Sequence, residues 1–89
     1  MSDAPRAEGE FEVAAELGLH LRPAGEFVTL AGSFDCEVQV GRGEEWADGC
    51  SVMSLVCLAA SRGTKLVIKA EGPDAERAVA ALGELLERA

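Results

Sequence analysis

The sequence predicts a single α+β domain of two layers, in which three helices cover one face of a four-stranded antiparallel sheet. Segments in which apolar and polar residues alternate, as in half-buried strands, recur along the chain. Segments with apolar residues at helical spacing lie between and after them, which gives the order β-α-β-β-α-β-α. With 89 residues, the chain is long enough for one hydrophobic core.

The first strand and helix are predicted from residues 10–31. Residues 10–15 alternate polar and apolar side chains, so we expect a strand there, preceded by a flexible tail at 1–9 and opening a domain that spans 10–89. Pro23 is predicted at the first position of the next helix, because proline lacks the N–H that an interior position needs. Apolar residues then recur on one face of this helix: Ala24, Phe27, Val28 and Ala31.

The remaining elements are predicted from alternation and from turn residues. Strands at 34–40 and 44–47, separated by a turn at 41–43, form a hairpin. A short helix at 51–60 follows, with Ser51 as its cap. A last strand at 64–70 leads to a helix that begins after Asp74 and carries a continuous apolar stripe.

Composition excludes several classes of function. The net charge of −8, from 8 basic and 16 acidic residues, disfavours nucleic acid as a partner and favours a soluble monomer. No segment reaches the about 18 apolar residues of a spanning helix, and the polar N-terminus lacks the apolar part of a signal peptide, so we expect a cytoplasmic protein without membrane insertion. Three cysteines without a Cys-x-x-Cys pair indicate reduced thiols and no metal site.

His20 is the one histidine, and it lies just ahead of the first predicted helix. The first N–H groups of a helix lack helical partners, and the positive end of the macrodipole favours an anion such as phosphate there. A neutral imidazole nitrogen is a nucleophile, and Arg22 brings a guanidinium two residues away. These residues favour phosphate chemistry, although a lone histidine before a helix is also common as a loop or cap residue.

Two motifs resemble the HPr family of phosphocarriers. Gly18-Leu19-His20-Leu21-Arg22-Pro23-Ala24 is similar to the family's active-centre motif, Gly-[Leu/Ile]-His-x-Arg-Pro-Ala. The segment 51–55, followed by Arg62-Gly63, resembles the family's second signature, which holds a regulatory serine. The resemblance covers residues 10–89, includes the element order, and implies the family's open-faced sandwich fold.

The resemblance implies a function for each residue of the first motif. His20 would accept a phosphoryl group on Nδ1 from phosphorylated enzyme I of the bacterial sugar phosphotransferase system, and would donate it to a IIA protein or domain. Arg22 would contact the phosphoryl group, while Gly18, Pro23 and Ala24 would form the helix start that cradles it. The protein would then be a carrier that needs no cofactor, rather than an independent enzyme.

Ser51 aligns with the serine that HPr kinase/phosphorylase modifies in many family members. The resemblance therefore implies a regulatory phosphorylation at Ser51, which would add about −1.5 to −2 charges. The alternative is that Ser51 serves only as the helix cap.

The short helix has more apolar residues than one buried stripe needs. Leu55 and Leu58 share one face, so we expect them in the core and expect an exposed patch elsewhere on the helix. The patch is predicted to dock partners and consists of Val52, Met53 and Val56. The alternative is a helix that is buried all round.

The chain departs from the family in its charges. Many relatives carry basic residues where this chain has Thr29, Gly32, Cys50 and Ser54. Electrostatic steering should therefore be weak, and a paralogue in a regulatory phosphorelay, such as the nitrogen-type branch, is an alternative. A regulatory binding module switched at His20 or Ser51 is a second reading, and a small acid–base enzyme is a third and weaker one.

Overall fold

The structure is a computed structural model that describes residues 4–88. It has the predicted order of elements and the predicted sheet, in which the strands lie in the order β1-β4-β2-β3 and every neighbouring pair is antiparallel. The α+β fold class is confirmed. The strands are β1 (Arg6–Glu12), β2 (Glu37–Arg42), β3 (Glu45–Asp48) and β4 (Lys65–Glu71). The helices are α1 (Leu21–Ala31), α2 (Val52–Cys57) and α3 (Ala75–Arg88).

β1 begins earlier than predicted. Residues 6–9 belong to this strand, so the prediction of a tail up to residue 9 is wrong for them, while residues 1–3 lie outside the described residues. The inward-facing side of β1 starts with Ala7 and Gly9, which are too small to give a hydrophobic signal. A Cβ on Gly9 would lie 2.8 Å from the ring of Phe11, so the small residue is what lets that ring pack under the sheet.

The β2–β3 hairpin is also shifted toward the C-terminus. Arg42 pairs with Glu45, so the turn consists of Gly43 and Glu44 rather than residues 41–43. Gly43 has φ +60°, a conformation that glycine adopts without a Cβ clash. Trp46 lies on the open face of the sheet, where a Cβ on Gly41 would come within 2.7 Å of its ring.

The core lies between the sheet and the three helices. Phe27 of α1 is fully buried, and α1 packs against both α2 and α3. The buried side of the sheet centres on Leu66 and Ile68 of β4, which carry no exposed surface. None of the helices in the described part of the chain is long and apolar enough to cross a membrane. Packing of α1 on both sides fixes where its N-terminus lies, and His20 lies at that N-terminus.

Candidate functional site

His20 is the N-cap residue of α1. Its backbone is extended (φ −86°, ψ −170°), its side chain makes no capping hydrogen bond, and it is half-buried. The helix begins at Leu21, so Pro23 occupies its third position. The prediction that Pro23 occupies the first position is therefore wrong. Proline is tolerated there because the first N–H groups of a helix have no intrahelical acceptor.

The first turn of α1 leaves hydrogen-bond donors beside His20. The Ala24 N–H donates to the His20 carbonyl at 3.0 Å, and Pro23 has no N–H to donate. Among residues 4–88, the N–H groups of Leu21 and Arg22 have no acceptor. The first turn also contains no acidic side chain, so no carboxylate occupies the positive end of the helix dipole. The two residues that directly follow His20 therefore carry N–H donors that no described residue satisfies.

Backbone hydrogen bonds hold the loop that precedes His20. The Gly18 N–H donates to Ala15 at 2.9 Å, and the Leu19 N–H donates across to the carbonyl of Ala60 at 2.8 Å. Gly18 has φ +74°, and a Cβ there would collide with the carbonyl oxygen of Ala60. Only glycine combines this conformation with this approach, which gives the glycine of the first motif a structural reason.

Arg22 is exposed and forms no hydrogen bond or ion pair with any of the described residues. Its side chain lines a shallow groove between α1 and α3, together with Leu21, Leu85 and Arg88. Within residues 4–88, Arg88 has one distant ion pair, with 3.8 Å between its Nη1 and Oε1 of Glu84. The groove therefore brings a second guanidinium to the side of α1 on which Arg22 lies.

Ser51 is the N-cap of α2, and its Oγ accepts a hydrogen bond from the Ser54 N–H at 3.2 Å. The helix ends at Cys57 rather than near residue 60, because Ala59 adopts a left-handed conformation with φ +52°. Since Leu19 is bonded to Ala60, the C-terminal end of α2 faces the His20 loop and Ser51 lies at its other end.

The apolar residues of α2 divide only partly as predicted. Leu55 is fully buried and Leu58 is 3% exposed, while the side chain of Met53 is 65% exposed. Val52 and Val56 are half-buried and pack against the core, so the predicted patch is centred on Met53 and the two valines add only partial surface at its edges. Two further leucines, whose exposure was not predicted, lie on either side of His20 in the sequence. Leu17 is 79% exposed and Leu21 is 63% exposed.

The three cysteines carry free thiols. Partial burial, and then the Asp74 carboxylate, raise the pKa of the Cys36 thiol, which favours its unreactive neutral form. Cys50 and Cys57 are exposed. Within residues 4–88, no group of histidine, cysteine and acidic side chains is arranged to hold a metal ion.

Comparison with known proteins matches residues 7–88 to the family model described as the PTS HPr component phosphorylation site. The chain belongs to the HPr family. It is 44% identical over 78 residues to the phosphocarrier protein HPr of Pseudomonas aeruginosa, and the aligned region covers 86% of this chain and 87% of that protein. Membership makes it a phosphocarrier-type component of the phosphotransferase system.

Two solved structures show the same fold. The HPr of Bacillus anthracis superposes with a TM-score of 0.87 at 30% identity, covering 91% of this chain and 96% of that one. Crh, the catabolite repression HPr of Bacillus subtilis, superposes with a TM-score of 0.71 at 30% identity, covering 93% of this chain and 99% of that one. The HPr fold predicted from the motifs is therefore confirmed over nearly the whole chain.

Two basic residues, Arg42 and Arg88, have contacts near the HPr motifs that no sequence pattern indicated. Arg88 reaches the groove only because the end of α3 packs beside α1, which no local pattern encodes. Arg42 was predicted within a turn, but it ends β2, and its guanidinium donates to carbonyls after α2. Both contacts join residues far apart in the chain, and single-sequence periodicity does not detect such contacts.

Proposed function

We propose that this protein carries a phosphoryl group on His20, accepting it from phosphorylated enzyme I and donating it to a IIA protein or domain. The observation that carries the proposal is the setting of His20, a half-buried N-cap residue followed directly by two N–H groups with no acceptor among the described residues. Both the N–H donors and the positive end of the helix dipole stabilise an anion at that position.

The proposed chemistry is a displacement at phosphorus between two histidines. The lone pair of Nδ1 of His20 attacks the phosphorus as the N–P bond on the donor histidine breaks, and the electron pair of that bond returns to the donor nitrogen. Donor and product are both phosphoramidates, so positioning and charge stabilisation supply the rate acceleration. The guanidinium of Arg22, which has no partner among residues 4–88, is proposed to contact the phosphoryl oxygens.

The test is transfer of radiolabel from phosphoenolpyruvate through enzyme I, comparing the wild-type chain with His20→Ala. We expect acid-labile, alkali-stable label on the wild type and none on the variant. Enzyme I from the source organism should be among those used, so that a poor match with a foreign enzyme is not mistaken for lack of function. Label that persists in His20→Ala would contradict the proposal.

The exposed part of α2 is proposed to dock partners, with Met53 at its centre and Val52 and Val56 at its edges. Met53→Asp is expected to slow transfer from enzyme I by about tenfold, because a charge replaces an exposed apolar contact, while the fold stays intact. Rates and circular dichroism spectra measured on the same preparation check this. Leu55→Asp is the matched control, since it puts a charge into the core and should unfold the protein. A folded Met53→Asp with an unchanged rate would rule out docking at Met53.

Ser51 is proposed as a second phosphorylation site, for HPr kinase/phosphorylase. Ser51→Ala is expected to lower the free energy of unfolding by about 1 kcal/mol, because the Ser54 N–H loses its acceptor, whereas Ser51→Asp keeps a cap. Thermal unfolding of the three proteins measures this. Incubation with the kinase and ATP tests regulation, and label that survives Ser51→Ala would contradict it.

A regulatory binding module is the second candidate, favoured by the structural similarity to Crh. In that case phosphorylation at His20 or Ser51 would switch which target the protein holds. Pull-downs with the phosphorylated and unphosphorylated forms separate the two functions. A carrier should bind IIA proteins only transiently, whereas a regulator should retain a non-transport target in one form alone.

A further inference from the structure

We propose that Arg42 is a positioning residue for His20, acting through the residues that follow α2. The inference rests on the proposed function of His20. Arg42 ends β2, far from His20 in sequence and outside both motifs. It reaches the His20 loop through a continuous series of hydrogen bonds and peptide links.

The first contact is between the Arg42 guanidinium and the end of α2. Nη1 donates to the carbonyl of Leu58 at 2.8 Å and to that of Ala59 at 3.3 Å. The last carbonyls of a helix have no partners within the helix, and they carry its partial negative charge. A guanidinium supplies both donors and a compensating positive charge.

The second step is the conformation of Ala59. It is the one non-glycine residue among 4–88 with positive φ, and a Cβ makes this left-handed conformation unfavourable. Such strain persists only where surrounding contacts hold it. The turn is held by the Leu58 side chain, which is buried in the core, and by the hydrogen bonds that Arg42 donates to the carbonyls of Leu58 and Ala59.

The third step joins the turn to the His20 loop. Ala60 follows directly, and its carbonyl accepts the Leu19 N–H at 2.8 Å while contacting Gly18. Leu19 is covalently joined to His20. Arg42 thus fixes the carbonyl that receives Leu19, and through it the approach of His20 to α1 and α2. Because transfer depends on close alignment of donor and acceptor, a small displacement of His20 lowers the rate.

Amide hydrogen exchange measures the proposed link in the unphosphorylated protein. In Arg42→Met, which keeps the aliphatic stem, we expect the Leu19 amide to exchange about tenfold faster, the scale of losing one charge-assisted hydrogen bond. The Gly49 amide, bonded to Val38 at 2.8 Å in the same hairpin, should be unchanged. Arg42→Lys should restore most of the protection.

The matched control is Arg6→Met, which removes an exposed arginine whose ion pair with Glu71 spans 3.6 Å. It should leave the Leu19 amide as it is in the wild type. If Leu19 and Gly49 speed up together in Arg42→Met, the effect is general destabilisation and the proposal is overturned. Unchanged exchange at Leu19 also overturns it.

Transfer kinetics complete the test. With this chain as the substrate of enzyme I, Arg42→Met should lower kcat about tenfold and leave KM within about twofold, since positioning and not docking is disturbed. An increase in KM alone would contradict the proposal. A wild-type chain that takes no label sinks the proposed function instead, and the exchange data then decide by themselves whether Arg42 holds the loop.

Discussion

Gly18→Ala is expected to lower the free energy of unfolding by about 3 kcal/mol and to abolish phosphoryl transfer. The new Cβ would collide with the carbonyl oxygen of Ala60, and the φ of +74° is itself unfavourable for alanine. We expect the loop to relieve the collision by breaking the hydrogen bond from the Leu19 N–H to the Ala60 carbonyl, which would displace His20. Urea unfolding and label transfer measure the two effects.

Two glycines serve as matched controls for this prediction. Gly63 also has positive φ (+89°) but faces open space, so Gly63→Ala carries the conformational cost without the collision. Gly25 lies in α1 with nothing near its Cβ position, and Gly25→Ala should stabilise the protein by about 0.5–1 kcal/mol. If Gly18→Ala costs no more than Gly63→Ala, close packing against Ala60 is not what selects glycine at position 18.

Arg22→Met is expected to slow transfer by about 100-fold while leaving stability unchanged. The guanidinium makes no hydrogen bond or ion pair with the described residues, so its removal breaks nothing in the fold, whereas the transferring phosphoryl group loses a charged donor. Single-turnover rates from phosphorylated enzyme I and urea midpoints check the two halves of the prediction. Arg22→Lys should recover part of the rate, since it keeps the charge but not the forked geometry.

Arg88→Met is the matched control, because Arg88 lines the same groove from α3. We expect it to slow transfer less than Arg22→Met does. Equal losses in the two variants would mean that the groove acts through its overall charge. In that case the specific role given to Arg22 would be wrong.

The fold was largely predictable because its main signals are local. The stripe that includes Phe27 predicted α1, and Leu66 with Ile68 predicted β4, as both observed elements have those residues buried. The predicted start of β1 lies too far along the chain, because Ala7 and Gly9 face the core without being strongly hydrophobic. In each case the side chain facing the core decided whether the pattern was visible.

The positions of the candidate site residues were predictable where one segment contains them. His20, Arg22 and Gly18 lie in a single motif, and the structure gives each a defined position at the start of α1. The predicted end of α2 lies too far along the chain, because an alanine at position 59 does not indicate a left-handed conformation. The contact of Arg42 with that turn depends on the packing of distant segments, so only the folded chain reveals it.

A single-turnover chase tests the central claim most directly. The chain is phosphorylated by enzyme I, separated from it and from phosphoenolpyruvate, and mixed with IIA proteins while peptide mapping follows the label. We predict that the label lies on the peptide containing His20 and then moves to a histidine of a IIA protein. Label that forms on another residue, or that stays on His20 until it hydrolyses with every IIA protein tried, would contradict a carrier function.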